Sequence, residues 1–117
     1  MSASENSDAA PEDAAIAHFL RYLEGERNAS THTIRNYRQD IRQFAIVIWG
    51  VNAAPQFPWA EVDRFAARKF LVSFQKASAL PTTTARKLSS LRSFFKFLVR
   101  EEYVARNPFG GLPTPKK

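Results

Sequence analysis

The sequence predicts an all-α protein, a four-helix bundle around one hydrophobic core. Apolar residues recur every three or four positions in four separate segments, which is the spacing of one face of an α-helix. Segments rich in glycine, proline or asparagine separate them, and no alternating strand pattern is convincing. The chain has 117 residues, of which 44% are hydrophobic, so it is long enough for one domain and too short for two.

The first predicted helix covers about residues 12–27. Proline is tolerated in the first helical turn and carboxylates favour the positive end of the helix dipole, so Pro11, Glu12 and Asp13 suit a helix start. The apolar face of this helix consists of Ile16, Phe19, Leu20 and Leu23.

The second predicted helix covers about residues 31–49, and Ser30 or Thr31 can cap its exposed amides. Its apolar face consists of Ile34, Tyr37, Ile41, Phe44, Ala45 and Ile48. Ile46 and Val47 depart from this face, which predicts that the end of the helix is buried on several sides.

A loop is predicted over residues 50–61, where glycine, proline and asparagine are frequent, and we expect Phe57 and Trp59 to hold it against the core. The third predicted helix runs from residue 61 or 62 to residue 76. Its predicted apolar face consists of Val62, Phe65, Ala66, Phe70 and Phe74.

The fourth predicted helix covers about residues 82–102. Thr82, Thr83 and Thr84 follow Pro81 and offer three possible capping hydroxyls. Proline disfavours helical geometry in the residue before it, so Asn107-Pro108 is expected to end the helix. The apolar stripe of this helix consists of Leu88, Leu91, Phe94, Phe95, Leu98 and Val99.

The two ends of the chain differ in composition from the helical segments. Residues 1–11 are small, polar and acidic, which predicts a disordered tail. Residues 107–117 contain three prolines and two glycines, which is the composition of a linker. We therefore expect the folded domain to cover residues 12–106.

The charge of the chain is unevenly distributed. Residues 1–13 contain four acidic groups and no basic group, whereas the remaining residues contain 17 basic and 7 acidic groups, a balance of +10. So basic a body favours a polyanionic partner such as nucleic acid.

Several classes of protein are disfavoured by the composition. The chain has no cysteine and only two histidines, so we expect no disulfide, no metal site and no cofactor. No apolar run approaches the roughly 20 residues that span a bilayer, and the acidic N-terminus is unlike a signal peptide, so a cytoplasmic protein with no membrane partner is expected. No set of residues typical of a catalytic site is evident. Tyr37 could act as a nucleophile, but its helical phase places it on the apolar face, so we expect it to pack against the core.

Two polar helix faces are the candidate functional surface. The second helix presents Arg35, Arg38 and Arg42 after a polar first turn, and the fourth presents basic and hydroxyl side chains after its threonines. A helix fits the major groove of B-DNA, where such side chains can bind phosphates and base edges. The polar positions of the fourth helix are Arg86, Lys87, Ser89, Ser90, Arg92, Ser93, Lys96 and Arg100.

Two segments resemble motifs of one family. Residues 33–41 (TIRNYRQDI) are similar to the T-x-x-x-Y-x-x-D-L segment of Xer-type and phage-integrase-type tyrosine recombinases, and residues 85–98 (ARKLSSLRSFFKFL) are similar to that family's A-R-K-L-S-A-L-R-S-F-F-x-F-L signature. Asn107-Pro108 and residues 112–116 (LPTPK) resemble its connector to the catalytic domain. The resemblance covers about residues 13–117 and is closest to the XerC branch.

The resemblance implies a SAM-like four-helix core-binding domain, one half of a clamp that closes around a recombination half-site. The second and fourth helices then face the major groove. The family's catalytic arginines, lysine, histidines and tyrosine belong to a C-terminal domain whose positions are absent here, so this chain alone is expected not to cleave or join DNA, whereas the full-length protein would be a tyrosine recombinase. With Arg35 and Thr83 added from the polar faces, the candidate DNA-binding residues are Thr33, Arg35, Tyr37, Arg38, Thr83, Arg86, Lys87, Ser90 and Ser93.

Three functions remain open on the sequence. The first is the DNA-binding domain of a recombinase that resolves chromosome dimers, monomeric alone and joined by partner recombinase subunits in a DNA-bound tetramer. The second is the same domain from a phage or mobile-element integrase. The third is a helical protein-interaction domain whose basic face binds an acidic protein.

Overall fold

The computed structural model describes residues 12–112, and these form an all-α bundle without strands, as predicted. The predicted acidic tail at residues 1–11 and the end of the predicted connector at residues 113–117 lie outside the described residues. No helix among the described residues has both the length and the apolar character needed to cross a bilayer. The α-helices are α1 (Ala14–Gly25), α2 (Thr31–Trp49), α3 (Arg64–Lys76) and α4 (Pro81–Arg100), with a 3-10 turn at Trp59–Glu61.

Asp13 begins α1 and also holds the loop after α2. Its buried carboxylate accepts hydrogen bonds from the amides of Ala15 and Ile16, both at 3.1 Å, as an N-cap does. The same carboxylate accepts from the Phe57 amide and from Trp59 Nε1, both at 2.8 Å. One aspartate therefore satisfies four donors and ties the first helix to a distant loop.

The bounds of α2 agree with the prediction. Ser30 is the N-cap, and its hydroxyl accepts from the Thr33 amide at 3.1 Å. The helix ends at Trp49, and its C-cap Gly50 has a φ of 98°, a backbone conformation that favours glycine. Near this end Val47 is half-buried, but Ile46 is exposed, so the prediction that both are buried is wrong for Ile46.

The core is mostly aromatic and lies between all four helices and the loop. Trp59 is buried and Phe57 stacks on Trp49 with ring centroids 5.3 Å apart, so the prediction that these residues hold the loop is confirmed. The ring of Phe44 contacts side chains from several elements. These contacts are to Trp49, Trp59, Phe70, Phe95 and Phe109.

The predicted apolar face of α3 is confirmed except at Phe65, since Val62, Ala66, Phe70 and Phe74 all pack on the core. The helix begins at Arg64 after the N-cap Asp63, and its buried residues are Ala67, Phe70 and Phe74. Phe65 lies on the opposite side of this helix and is 67% exposed. Ala67, which follows the predicted Ala66, is buried in addition.

The start of α4 also differs from the prediction. Pro81 is the first helical residue and Leu80 precedes it as an N-cap without a side-chain hydrogen bond. The threonines therefore lie within the first turns, Thr84 is buried, and none of them is the cap. On the apolar stripe of this helix, Phe97 is buried in place of the predicted Val99, which is exposed.

The chain after α4 packs onto the bundle. The helix ends at Arg100 with Glu101 as its C-cap, within two residues of the predicted end at residue 102 and well before Asn107-Pro108. Phe109 is fully buried, and the Arg92 side chain donates to its carbonyl at 3.2 Å and to that of Leu112 at 3.1 Å. Residues 107–112, which the composition assigned to a linker, are thus held against α4.

Candidate nucleic-acid interface

A buried aspartate lies where α2 meets α4. Asp40 is 1% exposed, and its carboxylate accepts three hydrogen bonds from α4. Arg86 Nη1 donates to Oδ2 at 2.7 Å, Lys87 Nζ donates to Oδ1 at 3.0 Å, and Ser90 Oγ donates to Oδ2 at 2.7 Å. Three of the predicted DNA-binding residues therefore share one partner. We name Asp40, Arg86, Lys87 and Ser90 the Asp40 cluster.

Members of the Asp40 cluster differ in how much solvent they meet. The Arg86 side chain is 50% exposed, whereas that of Lys87 is 16% exposed and Ser90 is 7% exposed. Lys87 also donates to Gln43 Oε1 at 2.7 Å and lies 5.8 Å from the centre of the Phe74 ring. Direct DNA contact by Lys87 or Ser90 does not fit this burial, because both side chains are used between helices.

The solvent side of α4 carries a row of polar side chains that continues from Arg86. The row agrees with the helical phase predicted for this surface, and Thr83 is half-buried at its start. It combines hydroxyl and cationic side chains, which suits binding to phosphate oxygens. The exposed residues of this row are Arg86, Ser89, Ser93, Lys96 and Arg100.

The predicted residues of α2 lie in three different environments. Arg35 is exposed, and Thr33 is half-buried with its hydroxyl accepting from Ser30 Oγ at 3.0 Å. Tyr37 is half-buried and packs edge-on against Phe19 at 5.4 Å, so its predicted place on the apolar side is confirmed. Arg38 is half-buried on the side that meets the start of α1.

Glu12 pairs with two of the basic residues of α2. Its carboxylate accepts from Arg42 Nη2 at 2.7 Å and from Arg38 Nε at 3.4 Å. Arg38 and Asp40 are two positions apart, which places them on opposite flanks of the helix. The basic residues of α2 therefore do not form one continuous surface with the Asp40 cluster.

A cation-lined groove opens between the end of α1, the middle of α2 and the second half of α4. Its volume is about 420 Å³, and we name it the Tyr22 groove. Arg100 lies over the rings of Tyr22 and Phe97, at 4.6 Å and 5.3 Å from their centres. The lining also includes Arg27, Tyr37, Ser93 and Lys96.

Charges in the Tyr22 groove act on one another. Arg27 Nη1 donates to the Tyr22 hydroxyl at 3.5 Å. This hydrogen bond, together with the nearby positive charges of Arg27 and Arg100, lowers the pKa of the Tyr22 phenol. The same bond raises the pKa of Arg27, and a hydrogen bond to Glu101 raises the pKa of Arg100. An arrangement of fixed cations beside aromatic rings can hold an anion such as a phosphate group.

Sequence reasoning missed Asp40, Glu12 and the residues of α1 in this surface. Asp40 precedes Ile41 on the buried side of α2. An acidic residue at a buried position of a helix needs a partner such as a cation, and this could have indicated the ion pairs of Asp40 from the sequence. The pairs that Glu12 makes, and the approach of Arg27 to α4, depend on how the helices pack and had no signal in the sequence.

Comparisons with known proteins agree on one family. The family model described as the phage integrase, N-terminal SAM-like domain, matches residues 16–102. The tyrosine recombinase XerC of Syntrophus aciditrophicus is 38% identical over 108 residues, which are 89% of this chain and 35% of the relative. That of Halalkalibacterium halodurans is 41% identical over 104 residues, covering 89% of this chain and 33% of the relative.

A third relative, the tyrosine recombinase XerC of Listeria innocua, is 40% identical over 91 residues, covering 78% of this chain and 29% of the relative. The chain spans about a third of the length of these relatives. No solved structure matches the chain.

Proposed function

Because the chain belongs to the family of phage integrase N-terminal SAM-like domains, we propose that it is the DNA-binding domain of a site-specific tyrosine recombinase. The observation that carries the proposal is the exposed row of hydroxyl and cationic side chains along α4, and α2 adds the exposed Arg35. An α-helix fits the major groove of B-DNA, and serine, arginine and lysine side chains bind both phosphates and base edges there.

On this proposal the domain forms one half of a clamp around a recombination half-site. Arg35, Arg86 and Ser93 contact the duplex directly, while Lys87 and Ser90 support Arg86 from within the bundle. Thr33, Tyr37 and Thr83 are half-buried and contribute at the edge of the surface, Tyr37 through its hydroxyl. Arg38 is also half-buried and would contribute from the other flank of α2, where it pairs with Glu12.

The whole protein would be a tyrosine recombinase whose catalytic residues follow this domain. The relatives named XerC favour a chromosomal recombination site, chromosome dimer resolution and a cytoplasmic setting over a mobile-element integrase. Partner recombinase subunits would complete a tetramer on paired sites, and residues 113–117 would lead to the catalytic domain. Alone, the domain would be monomeric and would bind weakly, because it covers one side of the duplex.

The test is the salt dependence of binding to a fluorescent mixed-sequence duplex. Neutralising about 4–6 phosphates gives a slope of log affinity against log salt of about −4 to −5. Changing Arg35→Ala with Lys96→Ala should reduce the magnitude of the slope by about two, because each cation releases about one counterion.

The matched control is Arg64→Ala with Lys69→Ala, which removes two exposed cations from α3 and should change the slope little. The proposal would be contradicted if the DNA affinity of the wild-type chain did not change with salt, or if both double substitutions reduced the slope equally. Tight binding to an acidic protein with no affinity for DNA would favour the protein-interaction function instead.

A further inference from the structure

We infer that Asp40 is a positioning residue that holds Arg86 in the orientation required to recognise a specific DNA sequence. The inference rests on the proposed function and concerns how one side chain of that surface is prepared. It starts from a carboxylate that is 1% exposed and still lies at the edge of a surface proposed to bind a polyanion.

A negative charge at such a place opposes DNA binding by simple electrostatics, because it repels phosphates and cancels a nearby cation. Asp40 has no donor of its own when ionised, and its oxygens accept from one serine and two cations. Its charge is therefore used entirely inside the protein, on residues of α4.

Arg86 is the member of the Asp40 cluster that reaches both the carboxylate and solvent. A guanidinium has five N–H donors in a rigid plane, and the pair at 2.7 Å uses the Nη1 end. The side chain is half exposed, so its remaining donors are available outward. A hydrogen bond at one end of the plane restricts the directions of the other donors before DNA binds, which reduces the entropy lost on binding.

The rest of the Asp40 cluster keeps the carboxylate in place. Ser90 donates to the same Oδ2 atom as Arg86, and Lys87 occupies Oδ1. Lys87 is in turn held by Gln43 Oε1 at 2.7 Å. The carboxylate therefore cannot rotate away without breaking several bonds, so it accepts from Arg86 at a fixed position.

A charge effect and a positioning effect predict opposite signs for Asp40→Asn. The substitution keeps the size of the side chain and removes one negative charge, so simple electrostatics predicts tighter binding to every duplex. Positioning predicts that affinity for a preferred site falls about tenfold, the size expected when an arginine contact to a base is lost, while affinity for unrelated DNA does not fall.

The experiment measures the ratio of affinities for two duplexes. One is the sequence that the wild-type 117-residue chain selects from a random duplex pool, and the other has the same base pairs in scrambled order. The control is Glu12→Gln, which also removes a carboxylate paired with two arginines, on the other flank of α2. It should raise both affinities about equally and leave the ratio unchanged.

A double-mutant cycle separates positioning from a merely structural role. If Asp40 acts through Arg86, then Asp40→Asn should change the ratio in the wild-type background and have no further effect in an Arg86→Ala background. A ratio that is unchanged by Asp40→Asn, or that falls equally in both backgrounds, overturns the inference. If the wild-type chain selects no sequence and its DNA affinity does not depend on salt, that result overturns the proposed function instead.

A measurement on the wild-type chain covers the case in which Asp40→Asn does not fold. The ¹⁵N relaxation of the side-chain Nε of Arg86 should report a restrained guanidinium, and that of the exposed Arg35 a mobile one. Equal mobility of the two side chains would overturn the inference.

Discussion

Two buried aspartates join parts of the chain that are far apart in sequence. Asp13 links the start of α1 to the loop around Trp59, and Asp40 links α2 to α4. Both are surrounded by donors, and among the described residues no buried side-chain nitrogen or oxygen lacks a hydrogen-bond partner. Each aspartate therefore offsets the cost of its burial with several hydrogen bonds, and removing either leaves donors unsatisfied.

Asp13→Ala should lower the free energy of unfolding by about 3 kcal/mol. Loss of an N-cap costs about 1 kcal/mol, and the buried indole N–H of Trp59 left without an acceptor adds about 1–3 kcal/mol. Urea unfolding followed by circular dichroism measures the change. Asp63→Ala is the matched control, because Asp63 caps α3 through one bond to the Ala66 amide and is exposed; it should cost about 1 kcal/mol. Equal losses would contradict the role of Asp13 in holding the loop.

At the scale of the elements, the four helices could be predicted because their apolar residues repeat with the helical period and their caps are local. Ser30 shows this for α2, whose bounds agree with the prediction. On α3 the period did not decide the position of Phe65, which is at the margin of the predicted apolar face, and only packing places its ring in solvent. The exposed row on α4 was predictable from the helical period of its polar residues alone.

The ion pairs of the site were not predictable from the sequence. Arg86 and Asp40 are 46 positions apart, and Arg42 and Glu12 are 30 apart. Their contact depends on the crossing of whole helices, which is determined by the fit of core side chains such as Phe44. Sequence reasoning therefore found the cations but not the carboxylates that orient them.

The end of α4 offers a stability prediction. Glu102 follows the C-cap with a φ of 64°, in the left-handed region that costs a residue with a β-carbon about 1–2 kcal/mol. Glu102→Gly should raise the free energy of unfolding by about 0.5–1 kcal/mol, because glycine relieves this strain but has more entropy in the unfolded chain. Chemical denaturation measures the change. Gly50→Ala, at a φ of 98°, should do the opposite, and a loss of stability from Glu102→Gly would contradict the argument.

For the whole molecule, the excess of basic residues is partly used inside the fold. Arg38 and Arg42 share Glu12, the Asp40 cluster holds two cations, and Arg92 binds carbonyls of the C-terminal segment. The net charge alone therefore overstates the number of cations that are free for a polyanion. The cations around the Tyr22 groove come from α4 and from Arg27, which follows α1, and this convergence extends the proposed surface from α4 toward the end of α1.

Arg27→Ala with Arg100→Ala should weaken binding to any duplex and reduce the magnitude of the salt slope by up to about two. Both cations line the Tyr22 groove, and a cation that binds phosphate contributes about one released counterion and no sequence preference. Anisotropy titrations at several salt concentrations measure both effects. Arg68→Ala with Lys76→Ala removes the same charge from exposed positions of α3 and should leave the slope nearly unchanged. The two variants lose the same net charge, so only local contact with DNA can make their salt slopes differ. If the groove variant has the wild-type slope, the DNA-binding surface is restricted to α2 and the first half of α4.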